Sequence, residues 1–284
     1  MRAVVVAEHV RGELRPITLE LISAARSLGG PVDVAVIAAE PSAFADAVNV
    51  EGVDEILVVK VDADEFENDV YQQVVEQLIA ERSPDVVVLG FTVSSMGYGP
   101  ALAAKLGTGF ASDVFAVRDE GGELVAERSF YGAKVNGEIE FPGHDRAVLL
   151  IRATAWPPAE GAGSASVTEV SVEPTPSRAR HRDWVEVQAG DVDITTADLL
   201  LSVGRGIGDK DNLEQFEGLA EAMGATLSSS RPLVDAGWMP SARQVGQSGS
   251  GAAPRRHEDE RHDHRRQHRS GGGDLQRRGL RRGG

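Results

Sequence analysis

The chain has 284 residues, no cysteine and a formal net charge of -15. The missing cysteines exclude a disulfide framework, a thiolate metal site and a cysteine nucleophile. So acidic a balance argues against a nucleic-acid partner, and no run of ~18 apolar residues marks a transmembrane helix.

The N-terminus, MRAVVVAEHV, is too short and too polar downstream for a signal peptide and reads as a first strand, Arg2–Glu8. Residues Ile17–Leu28 place Leu21, Ala24, Ala25 and Leu28 on one helical face, and Gly29-Gly30-Pro31 stops that helix. The next predicted elements are a strand over Val32–Ala38, a short helix over Pro41–Val48 and a strand over Glu55–Val59. A long amphipathic helix follows over Phe66–Arg82. Asp85–Leu89 is continuously apolar after its first residue, as suits a strand buried on both faces of a parallel sheet, and Gly97–Leu106 returns as a helix. This alternation predicts a doubly wound sheet.

The rhythm then changes. Phe110–Val117, Glu123–Phe130, Ala133–Phe141 and Ala147–Ile151 read as strands in a mostly antiparallel continuation. Trp156–Ser166 reads as a loop, Val167–Val172 as one more strand and Pro174–Arg182 as a linker. A second α/β unit starts near Trp184. It has a strand over Asp198–Val203, the turn Gly204–Gly208, a helix over Asn212–Met223 capped by Gly224, and a strand opening at Ala225–Leu227. Leu213, Phe216, Leu219, Ala220 and Met223 form the predicted apolar face of that helix. The expected architecture is α/β in two domains: a doubly wound, mostly parallel sheet with antiparallel additions over 1–175, then a Rossmann-like unit over 184–249.

Three segments of the second unit carry binding chemistry. The turn Gly204-Arg205-Gly206-Ile207-Gly208 joins a strand to a helix, where free N–H groups favour an anion; glycine also serves such turns for backbone reasons alone. Ser230-Arg231-Pro232 places a planar cation at a strand's carboxyl end, against the simpler reading of a surface arginine. Arg243-Gln244-Val245-Gly246-Gln247-Ser248-Gly249 carries two amides, a hydroxyl and two glycines that let backbone N–H groups come close to a ring or phosphate, against the simpler reading of a polar turn. His9 and His144 stand alone and read as structural.

After Gly249 the character of the sequence changes. Residues 250–284 hold ten arginines against five acidic residues, leaving 19 basic and 39 acidic residues in the rest. The segment has no apolar periodicity and reads as disordered, with the composition of high-GC coding sequence in a shifted frame; a genuine basic tail is the alternative. The acidic body has only four lysines, Lys60, Lys105, Lys134 and Lys210, and suggests a salt-adapted organism or simply an acidic cytosolic protein.

The order strand, Gly-Arg-Gly, helix, Ser-Arg-Pro-Leu-Val-Asp-Ala-Gly-Trp, Gln-Val-Gly-Gln-Ser-Gly resembles the alpha subunit of electron-transfer flavoprotein. Val4-Val5-Val6-Ala7-Glu8, Pro84-Asp85 and Ala103–Gly109 agree more loosely, and the resemblance spans roughly 1–249. It implies an N-terminal domain of adenine nucleotide hydrolase type and a C-terminal domain that holds FAD, incomplete here. It implies a cytoplasmic electron carrier without substrate chemistry of its own, paired with a beta subunit. That pair takes electrons from donor dehydrogenases, such as the acyl-CoA dehydrogenases of fatty acid beta-oxidation, and passes them to a membrane quinone oxidoreductase. Carried over, Arg205 lies near the dinucleotide. Ser230 and Arg231 flank the flavin ring, with Arg231 stabilising its reduced, anionic form, and Gln244, Val245, Gly246 and Gln247 belong to the contacting loop. Ser248 donates to flavin N5. The family's next segment, Gly-Ile-Ser-Gly-Ala-Ile-Gln-His, is missing beyond a Ser250-Gly251-Ala252 remnant, so impaired FAD binding is expected, or a remnant that only docks the beta subunit. A nucleotide-dependent enzyme is disfavoured, because no G-x-x-x-x-G-K-[ST] loop occurs.

Overall fold

The computed structural model describes residues 1–184, 194 and 197–245. The chain divides into two compact units, Met1–Val185 and Glu186–Gly284.

Unit 1 begins with β1 (Ala3–Val6), the short pair β2 (His9–Val10) and β3 (Glu13–Leu14), and helix α1 (Ile17–Arg26). It continues through β4 (Val32–Ala38), a 3-10 turn at Pro41–Phe44, α2 (Ala45–Val48), β5 (Glu55–Lys60), α3 (Asn68–Arg82), β6 (Val86–Gly90) and α4 (Val93–Leu106). Then come β7 (Gly109–Glu120), β8 (Glu123–Phe130), β9 (Val135–Glu140), β10 (Ala147–Ile151) and β11 (Ser166–Glu169). Apart from the β2–β3 pair these strands form one nine-stranded sheet in the order β11-β5-β4-β1-β6-β10-β7-β8-β9. Every pairing from β11 to β7 is parallel, and β8 and β9 add antiparallel.

Side-chain alternation builds both faces. Ala3, Val5 and Ala7 point into one core with Leu21, Ile22 and Ala25 of α1. Val4 and Val6 point into the other, with Val74 and Leu78 of α3 and Leu102 of α4. The central strands are therefore covered on both sides, and β1, β4, β6 and β10 are buried at every position.

Two expectations change. Ala147–Ile151 is no part of the antiparallel extension: β10 lies between β6 and β7, parallel to both. Its five apolar residues suit that two-faced burial. Helix α4 starts four residues earlier than Gly97, because Thr92 caps it with its hydroxyl accepting from the Ser95 N–H. The Pro174–Arg182 linker keeps no regular structure, yet Gln73 of α3 holds it by accepting from the Thr175 N–H and hydroxyl.

In unit 2, β12 (Leu200–Val203) runs into 3-10 turns at Arg205–Ile207 and Lys210–Asn212. Helix α5 (Leu213–Met223), β13 (Thr226–Ser229), α6 (Arg231–Asp235) and a 3-10 turn at Ser241–Arg243 follow. The strands β12 and β13 pair in parallel. Gly224 ends α5 in the left-handed conformation, φ 64°, where a side chain would be strained. Leu213 and Ala220 are buried and Phe216 packs on them, but Leu219 and Met223 are exposed, so the predicted apolar face is only half used among the described residues.

Candidate functional site

In a parallel α/β sheet, ligands bind beyond the carboxyl ends of the strands, where turns expose amides and helices begin. Unit 2 brings three sequence segments to that edge. Gly204 follows β12, and the Arg205 and Gly206 N–H groups, first in their 3-10 turn, have no acceptor within it. The Ser230 N–H donates to the Val203 carbonyl at 2.9 Å, which sets the end of β13 beside that turn. A Cβ built on Gly204 would lie 3.3 Å from the Ser230 Oγ, so glycine there lets the two ends approach closely. The third segment returns as Gln244, which bridges to Ser229 in parallel while the Val245 N–H donates to the Ser229 carbonyl at 2.9 Å.

Local chemistry explains each position. Ser230 stands before α6 in extended conformation, and Pro232 within the first turn needs no N–H there. Asn212 was not singled out from the sequence; its Nδ2 donates to the Ile207 carbonyl at 2.7 Å and fixes the shape of the glycine turn. Arg243 likewise holds the returning segment, its Nη1 donating to the Leu227 carbonyl at 3.0 Å. An asparagine just ahead of a helix and an arginine just ahead of Gln244 were the available signals.

The predicted residues thus gather as follows. Arg205 and Arg231 are exposed, and Ser230, Gln244 and Val245 are half-buried at the same strand ends. Arg231 opens helix α6 and pairs with Asp235 Oδ2 at 3.3 Å, the two side chains being 76% and 62% exposed. Such a solvated pair is weak, of order 0–1 kcal/mol, so it leaves the guanidinium available to a stronger anion. Gly246, Gln247 and Ser248 lie outside the described residues, as does the whole of 250–284. The two lone histidines stand apart from this edge, in unit 1. His9 is buried, stacked on Phe44, with Nε2 3.0 Å from the Ile37 carbonyl; His144 is exposed, with Nδ1 3.1 Å from the Gly107 carbonyl.

Family comparison decides what this edge belongs to. The model for the electron transfer flavoprotein domain matches residues 3–175, and that for the electron transfer flavoprotein FAD-binding domain matches 193–256. The chain belongs to the electron-transfer flavoprotein alpha family. An electron transfer flavoprotein subunit alpha of Methylophilus methylotrophus is 50% identical over 253 residues, covering 87% of this chain and 79% of that one. The same-named subunits of Mycobacterium leprae and Bacillus subtilis are 35% and 29% identical, each over 89% of this chain and 79% of theirs. All eight predicted site residues, from Arg205 to Ser248, fall inside the FAD-binding match.

The described residues fit the anionic part of a dinucleotide. They offer turn amides, two solvent-facing guanidinium groups and a half-buried hydroxyl at one edge. At the same edge Ser229 Oγ is fully buried and, among the described residues, has no hydrogen-bond partner, which leaves it open to a polar group of a ligand. No helix of the described residues is long and apolar enough to cross a membrane, and no metal-binding cluster occurs among them.

Proposed function

We propose that the chain is a cytoplasmic electron-carrier subunit that holds FAD at the carboxyl edge of β12 and β13 and works with a beta subunit. The observation that carries this reading is the meeting of Arg205, Ser230-Arg231 and Gln244-Val245 at one strand edge inside the FAD-binding match. Bound FAD supplies the electron-transfer chemistry. The protein's own task is to bind it, orient it and set its potential. The Arg205–Gly206 amides would take the pyrophosphate. Arg231, released from Asp235, would sit against the flavin as the counter-charge that favours reduction, and Ser230 would fix its position. Gly246, Gln247 and Ser248 would complete the ring contacts. The donors would be dehydrogenases such as those for acyl-CoA, and the acceptor a membrane quinone oxidoreductase.

The sequence beyond Gly249 favours a qualification of this reading. An arginine-rich segment without apolar periodicity stands where the FAD domain needs further strand and loop. FAD is therefore held weakly, and docking of the beta subunit outlasts cofactor binding. The test is co-expression of the full chain with a beta subunit, followed by gel filtration and a visible spectrum. A colourless complex that regains flavin absorbance only in excess FAD supports both parts. A chain that elutes alone and takes up no FAD contradicts both.

A further inference from the structure

Unit 1 also has the strand edge at which sheets of this kind form a ligand crevice. From β1 the chain winds through α1 to β4 on one side, and β6 lies on the other, feeding α4 on the opposite face. The carboxyl ends of β1 and β6 are thus the point where the winding direction reverses, the usual place for a ligand in such sheets. Here the gap is filled from within. Glu8, directly past β1, is 93% buried (7% exposed) and reaches across to the start of α4. Its Oε1 accepts from the Thr92 hydroxyl at 2.8 Å and the Ser95 hydroxyl at 3.0 Å, while Arg15 Nη1 stands 3.5 Å from Oε2. The Glu8 backbone is fixed from α1, its N–H donating to the Thr18 hydroxyl at 2.9 Å. Gly90 completes the fit: a Cβ there would come within 2.7 Å of Glu8 Oε1 and 2.9 Å of Ile17 Cδ1.

We propose that the Glu8 carboxylate is the resident anion of this crevice, an internal ligand that joins the ends of β1 and β6. Two hydroxyls and a guanidinium converge on the position that an external anion takes in a ligand-binding sheet of this topology, and the chain fills that position itself. The crevice of unit 1 is thereby closed, and the inference stands whether or not unit 2 holds FAD.

The test compares the full wild-type chain with Glu8→Ala and Glu8→Gln in thermal unfolding, with formate titrated against chloride at constant ionic strength. Formate presents the same carboxylate in a size that fits the vacated space. Glu8→Ala is expected to melt lower, and formate to raise its melting point saturably by several degrees. Wild type and Glu8→Gln, whose crevices stay filled, share the anion-binding edge of unit 2 with Glu8→Ala and are expected to show only the smaller response that this edge gives. A Glu8→Ala response to formate no larger than that of wild type and Glu8→Gln overturns the proposal. If Glu8→Ala is recovered unfolded, its refolding yield in formate against chloride reads the same equilibrium. A formate-dependent yield supports the internal-ligand role, and equal yields overturn it.

Discussion

Arg231 and Glu8 illustrate opposite uses of charge. Arg231 is solvated and, among the described residues, is paired with Asp235, so under the proposed function it is open to an anionic cofactor. Charge-assisted hydrogen bonds are worth ~1.5–3 kcal/mol, so Arg231→Ala should weaken FAD binding by about tenfold or more in a fluorescence titration. Asp235→Ala, which removes only a surface pair, should change it by less than about threefold, corresponding to the weak end of exposed ion pairs. Glu8 is buried, and that desolvation raises its carboxyl above the ordinary value against the lowering pull of Thr92, Arg15 and Ser95. A folded-state value above the unfolded one favours folding below the unfolded value, and this contribution is lost as pH rises through the raised folded-state value. Wild-type stability relative to Glu8→Gln should therefore fall across the carboxylate range and then level off, as urea unfolding at stepped pH would show. A pH-independent difference would contradict it. The segments that hold Arg205, Ser230 and Arg231 stand out in the sequence because they occur in a recognisable order, and their cofactor contacts remain our proposal. Glu8 does not stand out, because its partners Thr92 and Ser95 are more than 80 residues away and only the sheet order brings them together.

At the scale of elements, apolar patterning placed most strands and helices of unit 1, and Val32–Ala38, Glu123–Phe130 and Ala147–Ile151 match their predicted bounds. Strand partnership was less readable. The run Ala147–Ile151 looked like a further antiparallel strand by its neighbours in sequence, although burial of all five residues fits only a central position. The hairpin His9–Val10 with Glu13–Leu14 is too short to leave a periodic signal. The start of α4 was hidden because Ser94, Ser95 and Gly97 are poor interior helix residues, and the Thr92 cap outweighs them. Packing then holds the helix. Leu102 is fully buried between α4 and the sheet, so Leu102→Ala should cost about 2–5 kcal/mol, read as a lower unfolding midpoint at unchanged denaturant slope. Exposed Leu219 on α5 is the contrast: Leu219→Ala should lie within about 0.5 kcal/mol of wild type while that face stays uncovered.

For the whole molecule, two α/β units of one family were visible in the sequence, because glycine turns, alternating apolar runs and a composition change divide the chain. The edge that gathers Arg205, Ser230, Arg231, Gln244 and Val245 needed the structure, since the Ser229–Gln244 bridge joins segments that no periodicity relates. The acidic balance of residues 1–249 disfavours a nucleic-acid partner, and against it the two exposed arginines of that edge suit the anionic cofactor we propose. The central claim is that this edge binds FAD but holds it weakly. The most direct measurement is the FAD-to-chain ratio of the full chain, purified with a beta subunit, before and after gel filtration in FAD-free buffer. The account predicts a ratio well below one after filtration, restored by added FAD and less readily so in Arg231→Ala. One firmly retained FAD per chain, unaffected by Arg231→Ala, would contradict it.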